Sequence, residues 1–205
     1  MFRLYDSRLS GNSWKVRILL SQLGIAYQRI TLDLEKGDTR ATGFQKISRF
    51  SRIPVLELED GRTIVESGAI LMFLAEGSLF LPSDPYLRAE VASWLFFEQA
   101  DLQRAIAFPR VYHLRGLADK MSQQIESFQQ HGYVGLEKLD QWLKSRNWLV
   151  ADRYSLADIA VFSYVSMASQ GGYEMDRFPS VGEWIFRVKE QPGWIDLLDD
   201  TASPS

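Results

Sequence analysis

Few side chains in this chain of 205 residues could carry covalent or metal chemistry. It contains no cysteine, which excludes a thiol nucleophile, disulfides and thiolate metal ligands. Its two histidines, His113 and His131, are too few for a zinc site of three histidines. Neither lies in a recognisable Ser-His-Asp context. The remaining candidates are hydroxyl, amide, amine, carboxylate and guanidinium groups.

A polar turn, Ser10-Gly11-Asn12-Ser13, precedes the first amphipathic helix of the sequence. Serine and asparagine are favoured at helix N-caps, so the turn by itself predicts a capping role. A serine hydroxyl or an asparagine amide can also donate a hydrogen bond to a bound group. The residues alone leave both roles open.

Two further motifs place polar groups beside predicted strands. Arg52-Ile53-Pro54 precedes an apolar run and is consistent with a proline that begins a strand. Glu66-Ser67 stands where a strand meets a helix, and the N–H groups of a helix N-terminus can hold a carboxylate. The hydroxyl of Ser67 can add a donor and Glu66 can face an ammonium group, although a capping serine beside a solvated glutamate is the default interpretation of the two residues alone.

The elements that position these groups alternate in type through residue 77. The predicted order is strand, helix, strand, a weak helix at residues 38–47, a hairpin and a helix that Ser67 caps. The strands are predicted from apolar Phe2–Tyr5, from the alternating Ile30, Leu32 and Leu34, and from Val55–Leu58 and Thr63–Val65. The first helix is predicted from the apolar stripe of Val16, Leu19, Leu20 and Leu23, which ends at Gly24. The turn of the hairpin is predicted at Asp60-Gly61. A small mixed sheet with helices on its faces follows from this order.

Residues 78–84 contain a helix-breaking proline and are predicted to be a linker, and residues 85–205 are predicted to be all-helical. Ser155-x-x-Asp158 has the form of a capping box. Thr201–Ser205 is expected to fray. The helical patterns lie at Arg88–Ala107, Leu117–Phe128, Val134–Leu143, Leu156–Met167 and Val181–Lys189.

Three segments together resemble the soluble glutathione transferases over roughly residues 2–198. They are Leu9–Arg17, Arg52–Leu56 with Val65-Glu66-Ser67, and Ser155–Asp158. Within that family the pattern looks most like the serine-type bacterial and theta-like members. The resemblance implies an α/β thioredoxin-like domain at residues 1–77, a linker at 78–84 and an all-α helical domain at 85–205.

The resemblance implies Ser10 as the catalytic residue, whose hydroxyl stabilises the thiolate of bound glutathione, with Asn12 as the reserve donor. Tyr5 is expected to pack near the site, with tyrosine catalysis as the minority interpretation. The bond before Pro54 is expected to be cis, although Ser48–Ser51 departs from the loop typical of the family. The glutathione contacts that the resemblance implies are Asn12, Arg52, Ile53, Glu66, Ser67 and Asp101, the last from a partner subunit.

The function that the resemblance implies is conjugation of glutathione, used as a co-substrate without a metal, to a small electrophilic apolar substrate. A homodimer is expected. The alternative is a non-catalytic module of the same fold that binds ligands or proteins. The net charge of −3 gives no basic field for nucleic acid. No apolar run is long enough for a membrane span and no apolar leader is present, so a cytoplasmic location is expected.

Overall fold

The computed structural model describes residues 1–199 and divides the chain into two compact units. The first unit is Met1–Gly77 together with the segment that begins at Gln191, and the second is Ser78–Glu190. Residues 78–84 contain neither helix nor strand. The boundaries 1–77, 78–84 and 85–205 stay predictions, but the segment from Gln191 groups with the first unit and not with the helices. The predicted fraying of Thr201–Ser205 lies outside the described residues.

A mixed four-stranded sheet forms the centre of the first unit, as predicted. Its strands are β1 (Phe2–Asp6), β2 (Tyr27–Thr31), β3 (Val55–Glu57) and β4 (Thr63–Val65), in the spatial order β2-β1-β3-β4. β1 pairs with β2 in parallel, and β3 is antiparallel to both β1 and β4. The alternation predicted to continue to Leu34 ends early, because Asp33 accepts hydrogen bonds from two following amides and turns the chain.

Helices cover both faces of the sheet. They are α1 (Gly11–Gln22), α2 (Thr42–Ile47) and α3 (Ser67–Ala75). Tyr5, Val55 and Val65 form a buried cluster with Phe44 of α2. α1 packs against α3. Leu4 and Leu56, neighbours of the cluster residues along each strand, are fully buried and therefore face the opposite side of the sheet.

α1 is buried on more sides than its apolar stripe predicts. Val16, Leu19 and Leu20 are fully buried, but so are Lys15 and Arg17, which the helical period places away from the stripe. These two cations flank the stripe on opposite sides, because residues two apart in a helix point about 160° apart, and each needs polar partners where it is buried. Two carbonyls of the C-terminal segment, Gln191 to Asp199, accept hydrogen bonds from Arg17, and the Asp6 carboxylate lies beside the same guanidinium group.

The second unit is built from helices: α4 (Pro85–Phe97), α5 (Arg104–Leu114), α6 (Ser122–Leu143), α7 (Leu156–Val165) and α8 (Pro179–Lys189). A π-helical stretch, Glu98–Gln103, joins α4 to α5. The helix predicted at Arg88–Ala107 therefore spans parts of three elements. The helical patterns predicted at Leu117–Phe128 and Val134–Leu143 fall in one continuous helix that begins at Ser122, so the prediction of helix at residues 117–121 was wrong.

Pro109 stands inside α5 and cannot donate a hydrogen bond to the carbonyl of Ala105, four residues earlier. The hydroxyl of Tyr173 donates to this carbonyl at 2.8 Å. Gly132 of α6 makes the arrangement possible, because a Cβ there would lie 2.1 Å from the Tyr173 hydroxyl oxygen. The Tyr173 hydroxyl thus gives the Ala105 carbonyl the hydrogen bond that Pro109 cannot donate.

The predicted capping box at the start of α7 is present. Asp158 accepts hydrogen bonds from the amide and hydroxyl of Ser155, and further bonds from the Leu149 amide and the Trp184 indole. Burial raises the pKa of Asp158 to about 6, although these four donors favour the charged form. The carboxyl group joins three separate parts of the second unit.

Across residues 1–199, no helix has the length and hydropathy that a membrane crossing demands. The same residues contain no group of three or more histidine, cysteine, aspartate or glutamate side chains arranged to hold a metal ion.

Candidate functional site

Strand register brings three polar segments to one edge of the sheet. Tyr5 of β1 pairs with Val55 of β3, and Val55 pairs with Val65 of β4. Because β3 is antiparallel to both neighbours, its amino end lies beside their carboxyl ends. The turn after β1, the residues before Val55 and the step after Val65 therefore come together, and with them Ser10, Asn12, Ile53, Glu66 and Ser67.

Ser10 is the N-cap of α1, with extended backbone at φ −80° and ψ 116°. Its hydroxyl oxygen accepts a hydrogen bond from the Ser13 amide at 3.2 Å. A hydroxyl has one proton to donate as well as two lone pairs, so this bond leaves the proton of Ser10 available. No acceptor for that proton lies among residues 1–199. Capping and donation to a ligand are thus compatible in one side chain.

The first turn of α1 contains no acidic residue, so its free N–H groups keep their positive potential. Ser10 is half-buried at this end of the helix. A negative charge next to the Ser10 hydroxyl would be stabilised by the hydroxyl proton and by the helix end together.

Asn12 and Ser67 connect the first turns of two helices. The Ser67 hydroxyl donates to Oδ1 of Asn12 at 3.3 Å. Ser67 is 3% exposed, whereas Asn12 is half-buried. Ser67 is the first residue of α3 rather than its N-cap, so the predicted capping role of this serine was wrong.

Glu66 takes the N-cap position of α3 without a side-chain capping bond. Its backbone has φ 72° and ψ 120°, a conformation that costs a non-glycine residue about 1–3 kcal/mol. The Glu66 carbonyl accepts from the Ile70 amide at 3.0 Å, and the side chain is exposed. The sharp change of direction from β4 into α3 leaves this carboxylate at the site edge.

The Ile53–Pro54 peptide bond is cis, as predicted. Neither the N–H nor the C=O of Ile53 makes a hydrogen bond within residues 1–199. The Ile53 side chain packs against the cluster that contains Tyr5, and Arg52 is exposed. One residue thus offers both of its backbone groups to an extended ligand.

Ser48 shapes the segment before the cis bond, and sequence reasoning missed its role. Its side chain is 1% exposed; its hydroxyl donates to the Arg52 carbonyl at 2.9 Å and accepts from the Arg52 amide at 3.1 Å. Ser51 adopts the left-handed conformation, with φ 53°, that glycine favours. The departure from the family's usual loop is therefore accommodated by two serines.

Tyr5 lies in the core of the first unit and not in the open site. It is 8% exposed, and its hydroxyl donates to Oε2 of Glu57 at 2.7 Å. Burial, together with the Glu57 carboxylate, raises the pKa of the Tyr5 hydroxyl. A hydroxyl held in this way is a poor donor to a ligand, which agrees with the expected packing role.

Asp101 belongs to the second unit, in the π-helical stretch Glu98–Gln103. It is half-buried, and its Oδ1 lies 3.8 Å from Nζ of Lys138. Its predicted contact, to a ligand bound by a partner subunit, stays a prediction.

Comparison with known proteins identifies this arrangement. The family model for the N-terminal domain of glutathione S-transferases matches residues 1–76, and the model for their C-terminal domain matches residues 91–192. The crystal structure of a glutathione S-transferase from Pseudomonas fluorescens superposes with a TM-score of 0.95 and 38% identity, over 97% of this chain and 99% of that one. The chain belongs to the glutathione S-transferase family.

Relatives within the glutathione S-transferase family have diverse names. Disulfide-bond oxidoreductase YfcG of Escherichia coli is 29% identical over 189 residues, or 88% of this chain and 87% of that protein. Transcriptional regulator URE2 of Saccharomyces cerevisiae is 27% identical over 239 residues, or 96% of this chain and 67% of its own length. Ure2p in complex with glutathione superposes with a TM-score of 0.85 and 25% identity, over 94% and 95% of the two chains.

Proposed function

We propose that the protein is a glutathione transferase of the serine type, in which the Ser10 hydroxyl stabilises the thiolate of bound glutathione for attack on a small apolar electrophile. The observation that carries the proposal is the Ser10 side chain, which caps α1 with its oxygen and keeps its proton free to donate. The thiol proton goes to solvent. The sulfur electron pair then forms a carbon–sulfur bond, and a leaving group such as halide departs with its own pair.

The magnitude of one hydrogen bond is sufficient for this role. A free thiol has a pKa of about 8.5, so only a few per cent is thiolate near neutrality. A hydrogen bond to a charged partner contributes about 1.5–3 kcal/mol, and one pKa unit corresponds to about 1.36 kcal/mol. Ser10 could therefore lower the thiol pKa by about one to two units. The N-terminus of α1 acts in the same direction.

The rest of the tripeptide would be held along the sheet edge. The free N–H and C=O of Ile53 would pair with the cysteinyl unit as an added strand does, and Arg52 would meet the glycyl carboxylate. Ser67 and the N-terminus of α3 would hold the γ-glutamyl carboxylate. Glu66, with Asp101 of the partner subunit, would face the ammonium group.

The test is the pH dependence of conjugation to a chlorodinitrobenzene. We expect Ser10→Ala to lower kcat/KM at neutral pH about 10–100-fold. The acid limb of the pH–rate profile, where the rate rises as the thiol ionises, should move up by about one to two pH units. Ser10→Ala also removes a cap. Asp84→Ala is the matched control, because Asp84 caps α4 through the Leu87 amide at 2.9 Å. The proposal would be overturned if Ser10→Ala changed neither the conjugation rate nor the position of the acid limb. Asn12→Ala would then be tested as the reserve donor.

A second candidate activity is the glutathione-dependent reduction of disulfides, favoured by the similarity to YfcG. Because this chain has no cysteine, every thiol would come from glutathione. One glutathione thiolate attacks a substrate disulfide, giving a mixed disulfide and a released thiolate. A second glutathione then releases the other thiol and leaves as glutathione disulfide. Turnover of a small disulfide well above turnover of the aryl halide would favour this activity.

The similarity to a protein named as a transcriptional regulator supports the non-catalytic alternative. In that case glutathione would bind, and Ser10→Ala would change stability without changing turnover of either substrate. We also propose a homodimer in the cytoplasm and a role in detoxification, which sedimentation, cell fractionation and growth on electrophiles would test.

A further inference from the structure

The carboxylate of Asp6 lies fully buried in the first unit between two arginines. Nε of Arg17 is 3.1 Å and Nε of Arg29 is 2.9 Å from Oδ2 of Asp6. The side chains of Asp6 and Arg17 have no exposed surface, and that of Arg29 has 6%. Two cations face one anion out of water, so the group needs further acceptors.

Main-chain carbonyls of the C-terminal segment supply those acceptors. Nη2 of Arg17 donates to the carbonyl of Leu197 at 2.8 Å, and Nη1 donates to the carbonyl of Asp199 at 3.3 Å. Nη1 of Arg29 donates to the same Asp199 carbonyl at 3.2 Å. The segment therefore supplies main-chain acceptors to both arginines of a buried charge cluster.

α1 also holds the segment along its length. The Trp14 indole donates to the carbonyl of Ile195 at 2.9 Å, and its ring packs against that of Trp194 in a T-shaped arrangement, with 6.3 Å between the centroids. Near the other end of the helix, Gly193 lies so close to Gln22 that a Cβ on the glycine would be 3.0 Å from the Gln22 Cα. The contacts extend over two turns of α1.

The first turn of α1 links these contacts to Ser10. The Ser10 carbonyl accepts from the Trp14 amide at 2.9 Å, so the residue that binds the segment is bonded to the residue that caps the helix. We propose that Asp6, Arg17, Arg29 and the C-terminal segment form a clamp that positions the first turn of α1 and the Ser10 hydroxyl. The clamp residues act through the helix as positioning residues, and the inference rests on the proposed role of Ser10.

The test uses Trp14→Phe and Arg17→Lys in the full chain. Trp142→Phe is the matched control, because it removes an indole bond of the same kind, to the Leu149 carbonyl at 3.1 Å, within the helical unit. We expect both clamp variants to lower kcat for conjugation about 10–100-fold and to move its acid limb upward. The Kd for reduced glutathione should change less than about threefold. Trp142→Phe should lose stability without a change in kcat or in the acid limb. Clamp variants that likewise lose only stability would overturn the proposal.

Hydrogen exchange separates failure of the clamp from failure of the proposed function. The amides of Ser13 and Trp14 bond to the Ser10 side chain and carbonyl, so their exchange reports on the first turn of α1 directly. If Ser10→Ala leaves conjugation unchanged, the clamp is judged on exchange alone. Faster exchange of these amides in Arg17→Lys than in Trp142→Phe would support positioning by the clamp, and equal exchange would contradict it.

Discussion

The Ser67 hydroxyl donates its only proton to Oδ1 of Asn12, at 3.3 Å, and so joins the first turn of α3 to the first turn of α1. A carboxylate bound at Ser67 would compete with Asn12 for that proton. The part of the site proposed for the γ-glutamyl group is therefore coupled to the part proposed for the thiol.

A double-mutant cycle measures this coupling. Ser67→Ala should weaken glutathione binding about tenfold, because a buried hydroxyl at a helix N-terminus is lost. The loss of binding free energy caused by Ser67→Ala should differ by about 0.5–1.5 kcal/mol between the wild-type and the Asn12→Ala backgrounds. Calorimetric titration with reduced glutathione gives the four binding free energies. Additive effects within error would show that the two residues act independently.

Ser48→Ala tests the loop before the cis-proline. The substitution removes both hydrogen bonds between Ser48 and the Arg52 backbone, so unfolding free energy should fall by about 2 kcal/mol. The KM for glutathione should rise, because Ile53 follows this loop. Ser93→Ala is the control, since the Ser93 hydroxyl bonds the Glu90 carbonyl on an exposed helix surface. Urea unfolding that ranks the two variants equally would contradict this account of the loop.

Tyr5→Phe tests the minority interpretation that tyrosine is the thiolate donor. We expect the acid limb of conjugation to stay in place, with a loss of about 1 kcal/mol in stability from the missing bond to Glu57. Tyr27→Phe is its counterpart, because the buried Tyr27 hydroxyl has no hydrogen-bond partner among residues 1–199. Tyr27→Phe should be neutral or slightly stabilising. An acid limb displaced in Tyr5→Phe alone would favour tyrosine catalysis.

Asp158 should make stability depend on pH. Its pKa rises from 3.8 to about 6 on folding, because burial disfavours the charge. The unfolded chain therefore releases this proton at lower pH than the folded chain, and stability falls as pH rises from about 4 to about 6. The contribution of Asp158 to the free energy of unfolding should fall by about 3 kcal/mol over this range and not change above it.

Asp158→Asn removes the titration and isolates this effect from other groups. Chemical unfolding of both proteins across the range should show a stability difference that shifts in favour of the variant as pH rises. A difference that stays constant with pH would mean that the Asp158 carboxyl ionises alike in the folded and unfolded chains.

Much of the fold follows from local sequence signals. The order of strands and helices along the chain, the hairpin after Val55 and the capping box at Ser155 each depend on residues near in sequence. The cis bond at Pro54 was implied by the family resemblance. Local signals failed where a small residue serves a distant contact. Gly132 and Gly135 lie inside α6, where they admit Tyr173 and Leu102 to the helix surface. Sequence periodicity cannot show which neighbour a glycine accommodates.

The candidate site likewise contains residues that local sequence signals reveal and residues that they do not. The segments at its edge could be found from motif and register, because each lies at a strand end. The C-terminal partners of Arg17 could not, since they are main-chain carbonyls about 180 residues away in the sequence and any residue type supplies a carbonyl. The role of Ser48 was missed for a similar reason, because its hydroxyl bonds the backbone rather than a distinctive side chain.

The most direct test of the Ser10 mechanism is the pKa of the glutathione thiol in the bound state, followed through the ultraviolet absorbance of the thiolate. Ser10→Gly is the decisive variant, because glycine keeps most of the capping preference while removing the hydroxyl. We expect the bound thiol of the wild-type protein to titrate about one to two units below the free value of about 8.5, and that of Ser10→Gly to return towards it. The same low pKa in both proteins would contradict the mechanism.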